Sequence, residues 1–236
     1  MRVLSRSRSS IILLAAFMAL VLPGVLVAAE AASVVQTKES QAAMTPAKAL
    51  TALKDGNKRF IAGKSIQKDM PAKVKASKDG QYPFAVVLSC MDSRVPAEAV
   101  FDQSIGDLFS IRVAGNVVNA DNLGSLEYAA KVVGVKTIVV MGHTSCGAVK
   151  GAIDNVKLGN LTELVAKIQP AVAASGPGTT KDHAYVDKVG ERNVHLEMKE
   201  IREKSPVLKE MLDSGAVGLV GAMYDLETGV VTFYSD

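Results

Sequence analysis

Short runs rich in Val, Ile and Leu recur along this chain at residues 84–89, 108–112, 137–141, 217–223 and 230–234, and the stretches between most of them are long and helical in pattern. Strands separated by helices cannot pair as hairpins. They line up in parallel instead, and a parallel sheet has to be covered on both faces. The expected fold is therefore α/β, a central and mostly parallel sheet of four or five strands flanked by helices. Helices are expected over 96–101, 123–133, 148–156, 161–173 and 182–203, with a Gly/Pro/Thr loop at 175–180. Residues 226–229 read as a turn joining the last two strands into a hairpin. With 236 residues, 48% of them hydrophobic, the chain suffices for one domain with a sizeable core. Aromatic residues make up only 5% and Trp is absent, so a stacking platform for nucleic-acid bases has little to be built from.

Before the sheet, Thr45-Pro46 supplies an N-cap with proline at the first helical position, and a helix should follow to about residue 62. Leu50, Leu53, Phe60 and Ile61 would be its contacts. Such an N-terminal helical arm is of the kind that packs on a partner subunit. Residues 64–80, rich in lysine and interrupted by Pro71, read as an exposed extended connection, and residues 32–44 as a flexible leader. Residues 1–31 have the order of a secretory signal peptide: Arg2, Arg6 and Arg8, an unbroken apolar run from 11 to 22, the break Pro23-Gly24, then small residues. The apolar stretch approaches the roughly 20 residues of a spanning helix, but Pro23-Gly24 and the Ala-rich exit favour cleavage, so no stable membrane insertion is expected afterwards. The folded domain is then 45–236, exported and, in a bacterium with two membranes, periplasmic. Cleavage removes three arginines and Glu30 from 27 basic and 24 acidic residues, a net of +1, which gives no support for a nucleic-acid partner.

Two cysteines and three histidines are all that the chain offers as soft ligands. Cys90 ends the run 84–89, while His143 and Cys146 follow 137–141. In an open α/β sheet, sites gather beyond the carboxyl ends of strands, where these residues would meet. One Cys followed by His-x-x-Cys suits Zn(II), and three protein ligands leave a fourth position open. Two cysteines in an exported chain also fit a disulfide. The neighbours Asp92, Ser93, Arg94 and Gly147 favour the metal, since a disulfide requires none of them. Asp92 would accept a hydrogen bond from metal-bound hydroxide or bind the metal itself, and Arg94 would hold its carboxylate in a two-pronged ion pair. The glycines of 142–151 lack the Gly-Lys-Ser/Thr ending of a P-loop. Ser93 has no evident His-based activation, and His183 and His195 read as surface residues, which leaves no candidate proton shuttle.

The segments Cys90-Met91-Asp92-Ser93-Arg94 and His143-Thr144-Ser145-Cys146-Gly147 resemble the paired signature of β-class carbonic anhydrases, and the similarity takes in Arg112-Val113-Ala114-Gly115-Asn116 and most of 45–236. The resemblance implies Cys90, His143 and Cys146 as ligands of one Zn(II) per chain, Asp92 and Arg94 as a catalytic dyad, and Asp92 as a fourth ligand in a closed state. In the plant-like branch it further implies Gln81 as a donor to the substrate oxygen, and a cleft at Phe109, Ala114, Tyr128 and Gly147. The family usually carries a larger aliphatic residue where Ala114 stands. Part of that cleft comes from a second subunit, so a homodimer or larger homo-oligomer is implied. The activity implied is zinc-dependent, reversible hydration of carbon dioxide to bicarbonate and a proton by zinc-bound hydroxide. Two alternatives stand beside it: hydrolysis of a related linear molecule such as carbonyl sulfide or carbon disulfide, and a non-catalytic module with structural zinc or a Cys90–Cys146 disulfide.

Overall fold

A computed structural model describes residues 35–234; the expected signal segment 1–31 lies outside the described residues. Five strands, β1 (Ala85–Ser89), β2 (Leu108–Arg112), β3 (Thr137–His143), β4 (Gly218–Tyr224) and β5 (Val231–Tyr234), form one sheet in the order β2-β1-β3-β4-β5. The first four are parallel and β5 runs antiparallel to β4, closing the expected hairpin. After β1 the chain crosses to β2 on one side, then returns over β1 to β3 on the other. The crevice at the carboxyl ends of β1 and β3 is thus the point where strand order reverses, the place in such sheets where side chains from two loops converge around a ligand.

β1 and β3 are buried over their whole length, as their unbroken apolar sequences require. Their side chains alternate between two cores. Val86, Leu88, Ile138 and Val140 pack under α5 (Ala120–Glu127), α9 (His183–Lys204) and α10 (Pro206–Asp213), through Leu126, Val194, Met198, Ile201 and Leu208. Ala85, Val87, Val139 and Met141 face α2 (Pro46–Ile61) and α4 (Ala97–Val100) through Leu53 and Val100. A third cluster at the carboxyl end joins Cys90, Val117 and Cys146 to α6 (Gly147–Ile153), α7 (Leu161–Ala166), α8 (Gln169–Ser175) and the start of α9.

Several expected boundaries change. Residues read as a flexible leader contain a helix, α1 (Lys38–Ala42), closed by a capping box at Thr37 and anchored by Gln41 Nε2, which donates to the carbonyl of Pro83 at 2.7 Å. The connection read as extended holds α3 (Met70–Ser77), with Asp69 as N-cap and Pro71 in its first turn, where proline is tolerated. The helix expected over 161–173 is two, broken at Lys167–Ile168, and α10 was not anticipated. The arm helix α2 packs on its own sheet. Asn57 locks it there: its Nδ2 donates to the carbonyls of Val100 and Gly229, and its Oδ1 accepts from Val231 N. One turn of backbone contact needs Gly56, where a Cβ would stand 1.8 Å from the carbonyl oxygen of Phe101.

Gly56→Ala should therefore lift α2 from its seat and destabilise the domain by about 3 kcal/mol in urea unfolding, as over-packing against backbone does. A change below about 0.5 kcal/mol, the usual range of surface substitutions, would rule out this contact.

Candidate metal centre

β1 and β3 run side by side with Ser89 opposite Met141, so the residues that follow them meet above the same crevice. Cys90 leaves β1, His143 ends β3, and Cys146 is the N-cap of α6. The donor atoms of Cys90, His143 and Cys146 all lie within 4.8 Å of one another, and all three residues are buried. The two sulfurs stand 4.0 Å apart as free thiols, which sets aside the disulfide alternative.

These donors fit a cation. His143 Nδ1 lies 2.9 Å from the carbonyl of Thr144, which fixes a proton there and leaves Nε2 as the acceptor. That Nε2 is buried without a hydrogen-bond partner, a costly arrangement unless something positive sits against it. The sulfurs show the same want of charge. The hydrogen bond from Cys146 pulls Cys90 down to about 4 against the opposing effect of burial, with lesser help from backbone N–H groups, while that bond together with burial pushes Cys146 up. A metal ion that takes the place of the thiol protons satisfies both sulfurs and the imidazole together.

Gly115 completes the surround. Its N–H donates to Cys90 Sγ at 3.4 Å, a contact that requires φ of +68° and no side chain, because a Cβ would stand 2.6 Å from Ile168 Cδ1. Arg112 reaches across from β2 so that its Nε donates to the Cys90 carbonyl at 3.2 Å.

Asp92 sits at the rim. Both its oxygens are held by Arg94, Nε to Oδ1 at 2.9 Å and Nη2 to Oδ2 at 2.7 Å, and the Arg94 backbone N–H donates to Oδ1 as well. These bonds, the side-chain ones foremost, hold the carboxyl well below the usual carboxylate range. Oδ2 is 3.9 Å from His143 Nε2, so the carboxylate faces the centre while paired away from it. The arrangement is the two-pronged ion pair that the sequence suggested, with Asp92 outside the ligand triad.

The cleft residues divide. Ala114 precedes Gly115 and Gly147 follows Cys146, so both border the centre. Gln81 is exposed on the segment that enters β1 at its amino end, opposite to the centre. Phe109 pairs with Val86, four residues before Cys90 and so roughly 13 Å down the strand. Tyr128 stands with its ring centroid 6.5 Å from that of Phe109, and both line a groove of about 480 Å³ with Val86, Ile111, Gly124 and Ser125. Within one chain these three are not brought to the donors. His183 begins α9 exposed and His195 rests 5.2 Å from the Tyr234 ring, at the surface as expected.

Four further contacts were not anticipated. Asp187 Oδ1 accepts from Ser145 N at 2.7 Å, Thr144 Oγ1 accepts from Leu226 N, Asn193 Nδ2 donates to the Gly115 carbonyl, and Glu197 Oε2 accepts from Val118 N. A sequence signal existed for two of them. Asn193 and Glu197 fall on the same stripe of α9 as Val186, Val189, Val194, Met198 and Ile201, where a polar residue has to find a buried partner. Burial pushes the Glu197 carboxyl up to about 7, against the Val118 N–H, which favours the charged form.

A carbonic anhydrase family model matches residues 85–231. Carbonic anhydrase 2 of Mycobacterium tuberculosis is 38% identical over 190 residues, covering 78% of this chain and 90% of the relative. The carbonic anhydrase of Mycolicibacterium smegmatis is 37% identical over 196 residues, covering 80% and 94%. Among solved structures, the β-carbonic anhydrase CafA of Aspergillus fumigatus superposes with a TM-score of 0.64 at 26% identity, covering 79% of this chain and 90% of the other. A tetrameric β-carbonic anhydrase of Sordaria macrospora has the same TM-score at 21% identity, covering 77% and 94%, which speaks for the fold alone.

Two outcomes follow from the charges of the site and its surround. Zinc in large excess over its dissociation constant should raise the thermal midpoint of metal-stripped protein on the order of 10 °C, and Cys146→Ser should abolish most of the rise in a thermal melt. Glu197, raised from its usual 4.5, keeps its proton longer folded than unfolded, so its contribution falls as pH climbs between the two values. From pH 5 to pH 8 the unfolding free energy of the native chain should drop by about 2 kcal/mol relative to Glu197→Gln; parallel curves would exclude the shift.

Proposed function

The chain belongs to the β-carbonic anhydrase family, and from this premise we propose that it hydrates carbon dioxide reversibly with a zinc ion held by Cys90, His143 and Cys146. The observation that carries the proposal is the buried trio itself: two sulfurs and an imidazole nitrogen without a hydrogen-bond partner, all within 4.8 Å of one another. When bound, zinc lowers the pKa of a coordinated water towards about 7 and so makes a nucleophile available at neutral pH.

The chain's own residues do the rest. Arg94 keeps the Asp92 carboxylate ionised and pinned beside the ligands, where it accepts a hydrogen bond from the attacking water and directs the oxygen lone pair at the substrate carbon. Because both carboxylate oxygens are occupied by Arg94, Asp92 does not take the position that substrate needs. The third core cluster, with Val117 and Val149 among its members, walls the centre with apolar groups that suit carbon dioxide better than an ion and ease the departure of bicarbonate.

Gln81, Phe109 and Tyr128 act, in this reading, at the site of a second copy. Each lies away from the donors of its own chain, and the resemblance implies that part of the cleft comes from a second subunit. Gln81 donates its amide hydrogens to the substrate oxygen on which charge develops. The working enzyme is thus a homodimer or a larger homo-oligomer, exported by residues 1–31 and acting in the periplasm.

Stopped-flow hydration by residues 32–236, with zinc measured on the same sample, tests this directly. Fast turnover with about one zinc per chain is expected, both lost in Cys146→Ser. Arg94→Ala should keep the zinc and lose about tenfold or more in rate as the freed carboxylate turns to the metal. Zinc-loaded protein without hydration would overturn the assignment.

A further inference from the structure

Helix α9 starts beside the carboxyl-end cluster, runs along one face of the sheet and sends two buried polar side chains, one turn apart, into the segment 115–118. Asn193 Nδ2 donates to the Gly115 carbonyl at 2.9 Å, and Glu197 Oε2 accepts from Val118 N at 2.7 Å. Both side chains are almost wholly buried, at 1% and 4% exposure, so neither bond is exchanged for water. The segment they grip is under backbone strain. Gly115 and Asn116 take consecutive positive φ values, 68° and 46°, and a left-handed asparagine persists only where its surroundings hold it. At the head of the segment stands the N–H that donates to Cys90 Sγ.

From this chain of contacts we infer that Asn193 and Glu197 are positioning residues of the metal centre, holding the 115–118 segment so that the Gly115 N–H stays on the Cys90 sulfur. The inference rests on the reading of Cys90, His143 and Cys146 as metal ligands. An N–H aimed at a thiolate withdraws charge from sulfur, which tunes how strongly that ligand donates to the metal and hence how acidic a bound water becomes. Apolar residues in their place would leave the buried Gly115 carbonyl and Val118 N–H without partners, so the pair fixes the course of the segment that carries the Gly115 N–H.

The test is the spectrum of the full chain loaded with cobalt(II) in place of zinc. The wild type is expected to take about one cobalt per chain, the stoichiometry of a single three-ligand site, with a sulfur-to-cobalt charge-transfer band. Asn193→Leu and Glu197→Met keep the shape and remove the hydrogen bond. Each should still bind cobalt, with the band displaced to lower energy because the sulfur has lost a donor. Glu197→Gln, which retains an acceptor for Val118 N, should restore the wild-type band. Met198→Ala, a core truncation on the same helix, controls for lost stability and should leave the band in place. If Glu197→Met does not fold, Glu197→Asp shortens the reach with the charge unchanged and should give the same displacement. Bands identical to wild type in both the Asn193 and Glu197 variants, with cobalt bound, would overturn the inference alone. A wild type that binds cobalt without any sulfur band would overturn the metal reading and the inference with it.

Discussion

Two cysteine sulfurs and an imidazole nitrogen, buried together within 4.8 Å of one another, are the constraint around which this molecule is organised. Each sulfur lies within reach of the other, and the imidazole nitrogen that faces them has no hydrogen bond. Packing a core around such a group is unfavourable unless a positive charge completes it. The third core cluster contains both cysteines beside valines and an isoleucine, so the centre is built into the hydrophobic interior instead of being appended to its surface. Its rim, with Arg94 beside Asp92, meets water.

The sheet makes that convergence cheap in conformational terms. Reversal of strand order between β1 and β3 brings two loops together without either having to fold back on itself. β1 and β3 are buried on both faces, so their register is fixed by two separate cores, and the residues that follow them inherit that precision. Asn57 and Gly56 then tie α2 to the far face of the sheet.

What was legible in the sequence follows from what each signal depends on. The strands were readable because a doubly covered strand needs an apolar run, and the donors because Cys and His are scarce enough for their spacing to mean something. The Asp92–Arg94 pair was readable from proximity along the chain. By contrast α1, α3 and α10 are short helices, of five and eight residues, held by caps at Thr37, Asp69 and Ser205 and by packing, and they carry too few turns for a periodic pattern. The single helix expected over 161–173 breaks at Lys167–Ile168, where Ile168 turns inward against Gly115. Gln81, Phe109 and Tyr128 were placed in the cleft by resemblance alone; register puts Phe109 beside Val86, a distance no motif spacing reveals.

The roles of α9 were the least legible, and the physical reason is instructive. The loop between His143 and Cys146, and the turn whose Gly115 N–H donates to Cys90, each contain a non-glycine residue in the left-handed region, Ser145 at φ 54° and Asn116 at φ 46°. Each conformation costs energy locally and has to be repaid by contacts from elsewhere. The repayment comes from one element: Asp187 accepts from Ser145 N, while Asn193 and Glu197 hold the ends of the segment around Asn116. Two loops far apart in sequence therefore share a rigid template. A shift of α9 moves the Cys90 side and the His143–Cys146 side together, which preserves the spacing of three donors better than separate anchors would. Such a template appears in the sequence only as polar residues on a helix that has no need of them for its own stability.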